Sequence, residues 1–499
     1  MSKRQLATAV SAEDRRNKAA AGGQERPERP MEVDGDGDAA MGEFEDAYED
    51  ELESDEDVLE REEDSDGVEV MQEEDDDDDE SDEEAAAARR PVYLPGDSLG
   101  EGETLQVDNS AYHMLHSMTT NWPCLSFDFL TDSLGSGRTA FPHTLYAVAG
   151  TQADRAHNNQ LLVMKMSQLH RTINDDRNDD DVEDDAADLD DDPILETRAI
   201  RHPGGVNRVR ALPSAESPLA ATWADTGRVH IWDVARAVRA LDTPGSAPIP
   251  QQPLFTVASH GGVEGYAMDW SADGRLLTGD CAGRIHLTTR RGDTGASFVA
   301  DRTPFRAHTS SVEDLQWSPE EASVFASCSA DQSVRIWDVR AKARGHALYV
   351  PNAHDSDVNV LSWNRRTRYL LATGADNGDF RVWDMRKWTD ASGRSTPAAE
   401  FHWHKKPVWS IEWCPTDESV LAVAGADDQL TLWDLAVELD AEEQARHRDA
   451  MLGREVPAQL LFVHQGQNAI KELHWHPQVP GVLGSTAATG FNFFKTISV

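Results

Sequence analysis

Cysteine is scarce in this chain: there are four in 499 residues, Cys124, Cys281, Cys328 and Cys414. None lies within metal-ligand spacing of another, and each sits in or beside a strand pattern. That argues against a disulfide framework or a zinc cluster and for buried, reduced thiols in a reducing compartment. Long apolar runs are missing too. No stretch approaches the ~20 residues of a membrane-spanning helix, and the first residues lack the apolar region of a secretory signal. Positive charge is absent where negative charge is densest. From Glu32 to Glu84 there are 31 acidic residues against Arg61 alone, and from Asp175 to Asp192 there are 12 against Arg177. The two tracts carry about −41 of a formal −45, so the rest of the chain is nearly neutral. Also absent is a nonrepeating cluster of the groups that catalysis needs, so an enzyme is not expected and no cofactor is called for. The second acidic tract lacks the glycine-turned spacing of a calcium loop, so no metal is expected there.

What is present is a repeat. Ala326-Ser-Cys-Ser-Ala-Asp-Gln-Ser-Val-Arg-Ile-Trp-Asp-Val-Arg340 reads as two strands joined by a turn, ending in Trp-Asp, with His308 and Thr309 upstream. Thr303–Arg340 matches Tyr349–Arg386 and Ala399–Ala436. Weaker copies are Glu196–Val234, Leu254–Arg291, where Thr288 replaces the second Trp, and Leu460–Ser498, where Phe493-Phe494 stand in the closing strand. Trp122–Met166 is a divergent seventh unit, with strands at Cys124–Phe129, Leu145–Ala149 and Leu161–Met166. A period of about forty residues is that of WD40 propellers. The expected fold is all-β: a seven-bladed WD40 β-propeller with a short N-terminal helix and long disordered acidic arms. A blade cannot bury both faces alone, so blades stack radially.

Within one unit, His308, Ser327, Asp331 and Trp337 resemble the buried hydrogen-bond tetrad of such blades, in which the indole N–H finds an acceptor. A Ser/His/Asp nucleophile is the competing reading. It fails because the set recurs, whereas an active site occurs once. The residue four before each inner Trp falls at the start of an inner strand: Tyr266, Glu313, Asn359, Trp409 and Lys471, with Asn207 at the equivalent place in the second unit. This mixture suits protein binding better than chemistry. Trp409 is either an exposed anchor or a side chain packed sideways into its blade. Arg340 and Arg386 follow Trp-Asp-X, a box by which some propellers dock on a cullin–RING ligase adaptor. That makes a ubiquitin-ligase substrate receptor the alternative function.

Residues 1–90 are expected to be a disordered acidic arm, since apolar residues there are too few to offset the ordering entropy. Such a polyanion either keeps the chain soluble or tethers a strongly basic partner, and it disfavours direct nucleic-acid binding. Lys3-Arg4 and Arg15-Arg16-Asn-Lys18 read as a nuclear-import signal or as a solvated basic tail. In residues 91–120 a short helix is expected within Glu101–Met118, followed by a strand near Leu115–Thr119 that closes the last blade and removes its free edge. The propeller then spans 121–499, with an acidic surface loop at 174–192 and an insertion at 437–459. The insertion and the N-terminal segment both flank the last blade, so ring closure leaves a groove between them.

Several stretches are specific: Val92-Tyr-Leu-Pro95, Pro123-Cys-Leu-Ser-Phe-Asp128, Leu276-Leu-Thr-Gly-Asp-Cys281, Ser311-Val-Glu-Asp-Leu-Gln-Trp-Ser-Pro319, Leu461-Phe-Val-His-Gln465 and Lys471-Glu-Leu-His-Trp-His-Pro477. Over roughly residues 91–499 the chain resembles the glutamate-rich WD-repeat proteins. The resemblance implies a nuclear and nucleolar protein acting in large ribosomal subunit assembly, in fungi as chaperone of a large-subunit ribosomal protein. It also implies histone binding, as in animal members. The wider group holds a histone helix in the groove described above. Carried over, that groove lies between Glu103–Met118, with Tyr112 and Leu115, and Val437–Gln459, with Glu438, Asp440, Glu442 and Glu443. The partners implied are basic proteins within pre-ribosomal or chromatin complexes, with no membrane and no stable self-association.

Overall fold

The period-two stretch Val334–Asp338 is the third strand of an antiparallel sheet. It follows Val312–Trp317 and Val324–Ser329 and precedes His346–Val350. The computed structural model describes residues 107–172, 192–214, 216–241, 250–291, 297–341, 344–388, 395–438, 443 and 456–499. The expected arm at 1–90, the acidic loop apart from Asp192, and most of the 437–459 insertion lie outside the described residues. Within the described residues there are seven such sheets, the blades of a propeller. Their first strands are Cys124–Phe129, Val206–Ala211, Ala267–Trp270, Val312–Trp317, Val358–Trp363, Val408–Trp413 and Glu472–Trp475. These strands pack against one another in sequence order and line a central channel. Each blade takes its fourth strand from the sequence unit that follows. Blade three gains a fifth, Phe305–Arg306.

Blade seven has no following unit, and Tyr112–Met118 supplies its outer strand. It runs antiparallel to Gly490–Thr496, with Leu115 opposite Phe494. This strand begins three residues before the expected one, and it displaces the expected helix. Among the described residues only a three-residue helical turn, Asn109–Ala111, precedes it, capped by Asp108. The reason is the alternation of burial: Tyr112, Met114 and Met118 face the core while His113 and Ser117 face solvent, a two-residue period that no helix satisfies. A short helix that periodicity did not reveal, Ala235–Leu241, follows the third strand of blade two. It buries Ala237 and Leu241 against Val163 and Ile200 of blade one.

The small-residue strands are small because blades meet there. A Cβ on Gly150 would lie 2.2 Å from Val206 of the next blade, and one on Gly374 would lie 2.5 Å from Val408. The tetrad is present in blade four. The Trp337 indole donates to Ser327 Oγ at 2.8 Å, His308 Nε2 meets the same oxygen at 2.7 Å, and His308 Nδ1 meets Asp331 at 3.0 Å. Burial raises the Asp331 carboxyl, but the His308 hydrogen bond outweighs it and holds the acid below its usual range. Other blades vary the parts. In blade six Thr431, two residues before Trp433, accepts from the indole at 2.8 Å because Val423 occupies the usual hydroxyl position. In blade three, where Thr288 replaces the Trp, His260 still bridges Thr278 and Asp280, both at 2.8 Å. Thr288 Oγ1 is buried there without a partner. In blade seven the Tyr112 hydroxyl meets His464 Nδ1 at 2.8 Å, so the closing strand completes that histidine's bonding.

Candidate functional site

Polar side chains of the inner strands reach sideways and fasten each blade to the next. Asp128 accepts from the Ala211 N–H at 2.8 Å, and Arg208 Nε donates to the Tyr266 carbonyl at 2.9 Å. Asp269 accepts from Trp317 N–H at 2.7 Å, Asp314 from Leu361 at 3.2 Å, and Ser362 from Trp413 at 3.2 Å. Glu412 accepts from Trp475 at 3.3 Å, and Glu472 from Phe127 at 3.0 Å, which closes the circle. Inner strands in this fold leave alternate backbone N–H groups facing a neighbouring blade, and burial there demands an acceptor.

Charge concentrates in one arc of this girdle. Glu472 takes Arg208 at 2.5 Å and Arg210 at 2.8 Å, both from blade two, so the contact skips blade one altogether. Burial drives the Glu472 carboxyl upward, but Arg210, Arg208 and His474 outweigh it and hold the acid well below its usual value. Burial likewise works against protonated His474, yet Glu412 and Glu472 on either side raise it to about 10. The channel is therefore occupied by its own ion network, which pins blades two, six and seven. Asp269 has no such partner. Burial raises it to about 7, the Trp317 N–H opposing only in part. Its folded-state value lies above the unfolded 3.8, so stability should fall as pH rises from 4 through 7. Asp269→Asn keeps an oxygen for Trp317 and removes that slope. Urea midpoints from pH 4 to 8 should show the variant gaining on the parent toward alkaline pH; a pH-independent difference would contradict the assignment.

The residues expected at the strand-start mouth divide into two groups. Asn207, Tyr266 and Asn359 are buried at blade seams. Asn207 donates to Glu264 at 3.4 Å, Asn359 to Asp376 at 3.4 Å and to the Val408 carbonyl at 3.3 Å, and the Tyr266 backbone receives Arg208. They fasten the mouth rather than decorate it. Glu313, Trp409 and Lys471 are half-buried. Lys471 and Trp409 come together, with the ammonium 5.6 Å from the ring centroid, so Trp409 is neither fully open nor lost in its blade. Glu313 and Glu264 both act on Cys281, whose thiol burial pushes up to about 12. Glu264 was not anticipated, because it follows a glycine-rich loop rather than a Trp-anchored register.

For the expected groove, Tyr112 turns into the core and its hydroxyl is pushed above its usual range by burial. Leu115 is half-buried and its N–H donates to Thr172 Oγ1 at 2.7 Å. Glu438 and Glu443 are exposed, while Asp440 and Glu442 lie outside the described residues. Arg340 and Arg386 are exposed, and each folds back on the Asp two residues earlier, Asp338 and Asp384, at 2.8 Å. Among the described residues the three-member grouping of possible metal ligands is Asp379, Glu400 and His402, at the surface of blade five. No helix among them is long and apolar enough to cross a membrane.

Comparison with known proteins adds the following. Residues 102–170 match the family model described as histone-binding protein RBBP4 or its counterpart in the CAF1 complex. Residues 301–338, 345–384 and 395–434 match the WD domain, G-beta repeat. The chain is 49% identical to ribosome assembly protein rrb1 of Schizosaccharomyces pombe, over 92% of this chain and 94% of that one. It is 46% identical to protein HEAT STRESS TOLERANT DWD 1 of Arabidopsis thaliana, over 82% and 92%. It is 44% identical to glutamate-rich WD repeat-containing protein 1 of Dictyostelium discoideum, over 90% and 93%. The WD40 β-propeller domain of Doa1 superposes with a TM-score of 0.50 at 14% identity, covering 77% of this chain and 97% of that one, a likeness of fold alone.

Proposed function

Because the chain belongs to the family of ribosome assembly protein rrb1 and the glutamate-rich WD-repeat proteins, we propose that it is a non-enzymatic chaperone for highly basic clients. These are a large-subunit ribosomal protein, histones, or both, handled in nucleus and nucleolus. The observation that carries this reading is the near full-length identity to a ribosome assembly protein. Two features of the chain itself support it. The acidic tracts concentrate about −41 charges that can neutralise lysine and arginine without fixed geometry. The strand-start mouth adds half-buried Glu313 and Glu264 next to the Trp409–Lys471 pair. The propeller recognises one client segment, and the tracts screen the rest.

The test is client affinity as a function of salt. With a Debye length of about 8–10 Å at physiological ionic strength, the contribution of the tracts should be screened and that of the mouth much less so. Removing residues 32–84 and 175–192 should flatten the dependence, whereas Glu313→Lys should weaken binding at every salt concentration. Equal slopes with and without the tracts would remove them from the mechanism. A second reading, a receptor for a cullin–RING ligase, rests on exposed Arg340 and Arg386 and on a relative whose name carries DWD. One further arm decides it: R340A/R386A should lose an adaptor while keeping the client, and wild-type protein that brings down no adaptor dismisses it.

A further inference from the structure

At the strand-end mouth of the channel the inner-strand tryptophans form a second regular pattern. Trp270, Trp413 and Trp475 each donate their indole N–H to a carbonyl of the preceding blade: Arg210 at 3.1 Å, Ser362 at 3.2 Å and Glu412 at 3.1 Å. Trp317 breaks it. Its backbone N–H is taken by Asp269, but its indole nitrogen is buried with no acceptor. Its ring lies under Arg275, whose guanidinium carbon is 4.7 Å from the centroid. The seam between blades three and four is therefore unfastened at this level. A cavity of about 430 Å3 opens there, walled by Asp269, Trp270, Gln316, Trp317, Trp363 and Arg365.

The charges at its rim are not balanced. Asp273 is taken by Arg275 at 2.9 Å, and Glu320 by Arg368 at 2.5 Å. Arg365 and Arg366 are both exposed. Among the described residues Arg366 reaches only the Pro415 carbonyl, at 3.3 Å, and neither arginine has a carboxylate within ion-pair distance. Two successive uncompensated guanidiniums at a cavity lip are out of keeping with a chain of formal charge −45. A guanidinium fork matches a carboxylate or phosphate. The walls choose between carriers of those groups. The three tryptophans are buried to within 5–6% exposure, and exposed Tyr369 has its face covered by Arg386 at 3.4 Å. No ring face is left on which bases could stack, which is what single-stranded nucleic acid exploits. A cavity of this volume takes a side chain, not a backbone track.

We propose that this cavity is a docking site for an acidic peptide segment of a partner. One Asp or Glu side chain enters to meet Arg365, and the neighbouring carboxylate is held outside by Arg366. The site lies at the opposite end of the channel from the mouth assigned above to basic clients, so one propeller can hold an acidic and a basic partner together. The probe is a fluorescein-labelled hexaglutamate peptide, titrated with the full chain and followed by anisotropy. Hexaglutamine and hexauridylate of the same length serve as the neutral and nucleic-acid arms. Hexaglutamate should bind, hexaglutamine should not, and R365E/R366E should weaken hexaglutamate at least tenfold while the remote R155E leaves it unchanged. Both arginines are exposed, so the variant keeps its fold, which near-ultraviolet circular dichroism verifies. The proposal is overturned if hexaglutamate fails to bind or binds R365E/R366E equally well. It is also overturned if hexauridylate binds more tightly and is lost in that variant, which would make the site one for nucleic acid.

Discussion

Replacing residues 112–118 with a Gly/Ser linker of equal length is expected to abolish the soluble monomer, not merely to lower its melting temperature. Three buried side chains go with the strand: Tyr112, Met114 and Met118. Each is worth about 1.5–3 kcal/mol when fully buried. His464 loses its Tyr112 partner in a site where burial already holds the imidazole down to about 4. Most damaging, Gly490–Thr496 becomes an edge strand carrying Phe491, Phe493 and Phe494, the kind of unpaired apolar edge that pairs with other chains. Blade seven also packs Phe491 and Phe493 against Phe127 of blade one, so the ring opens where it begins. Size-exclusion chromatography of the purified variant reads the outcome. Recovery of monomer on adding a synthetic 107–120 peptide would tie the defect to closure. A variant that elutes as a stable monomer unaided would show that the strand is dispensable.

The closing strand also shows how far the residues alone could be read. Seven blades were legible because Trp-Asp, the upstream His and the small-residue strand recur at a fixed period, and a period survives local variation. Position within the ring was legible for the same reason, including the need for an N-terminal strand. What was not legible is direction. Asn207, Tyr266 and Asn359 occupy the register of a binding mouth, yet their side chains or backbones are spent on the next blade. Side chains at the start of a strand can turn along the channel or across the seam, and only the neighbouring blade, 50–60 residues away, decides which. Glu264 escaped notice for the complementary reason, since nothing in its own segment marks it. The helix expected near the N-terminus failed because Leu105, Val107, Tyr112 and Leu115 fit a helical spacing loosely, while the unpaired edge of blade seven imposed a two-residue period.

Glu472→Ala should be the most damaging single substitution in the channel, at about 3–5 kcal/mol, the range for removing one partner of a buried pair. Glu472 is 1% exposed and answers two arginines of blade two. Without it Arg208 and Arg210 are left as buried cations, and Phe127 N–H loses its acceptor. His474 loses one of the two acids that raise it to about 10. The network should also impose a pH dependence of definite sign. His474 titrates higher folded than its ordinary 6.5, so its contribution is fully present below 6.5 and is lost as pH rises through about 10. Urea unfolding of the wild type should therefore weaken between pH 7 and 10, and Glu472→Ala should show less of that decline. A triple replacement, Glu472→Met with Arg208→Met and Arg210→Met, separates attraction from penalty. Removing all three charges together should recover much of the loss, because a buried ion network sustains itself chiefly by answering the charges it has already buried. If the triple variant is as unstable as Glu472→Ala alone, the damage comes from packing and the lost Phe127 hydrogen bond. The arc of charge would then be incidental to holding blades two, six and seven in register.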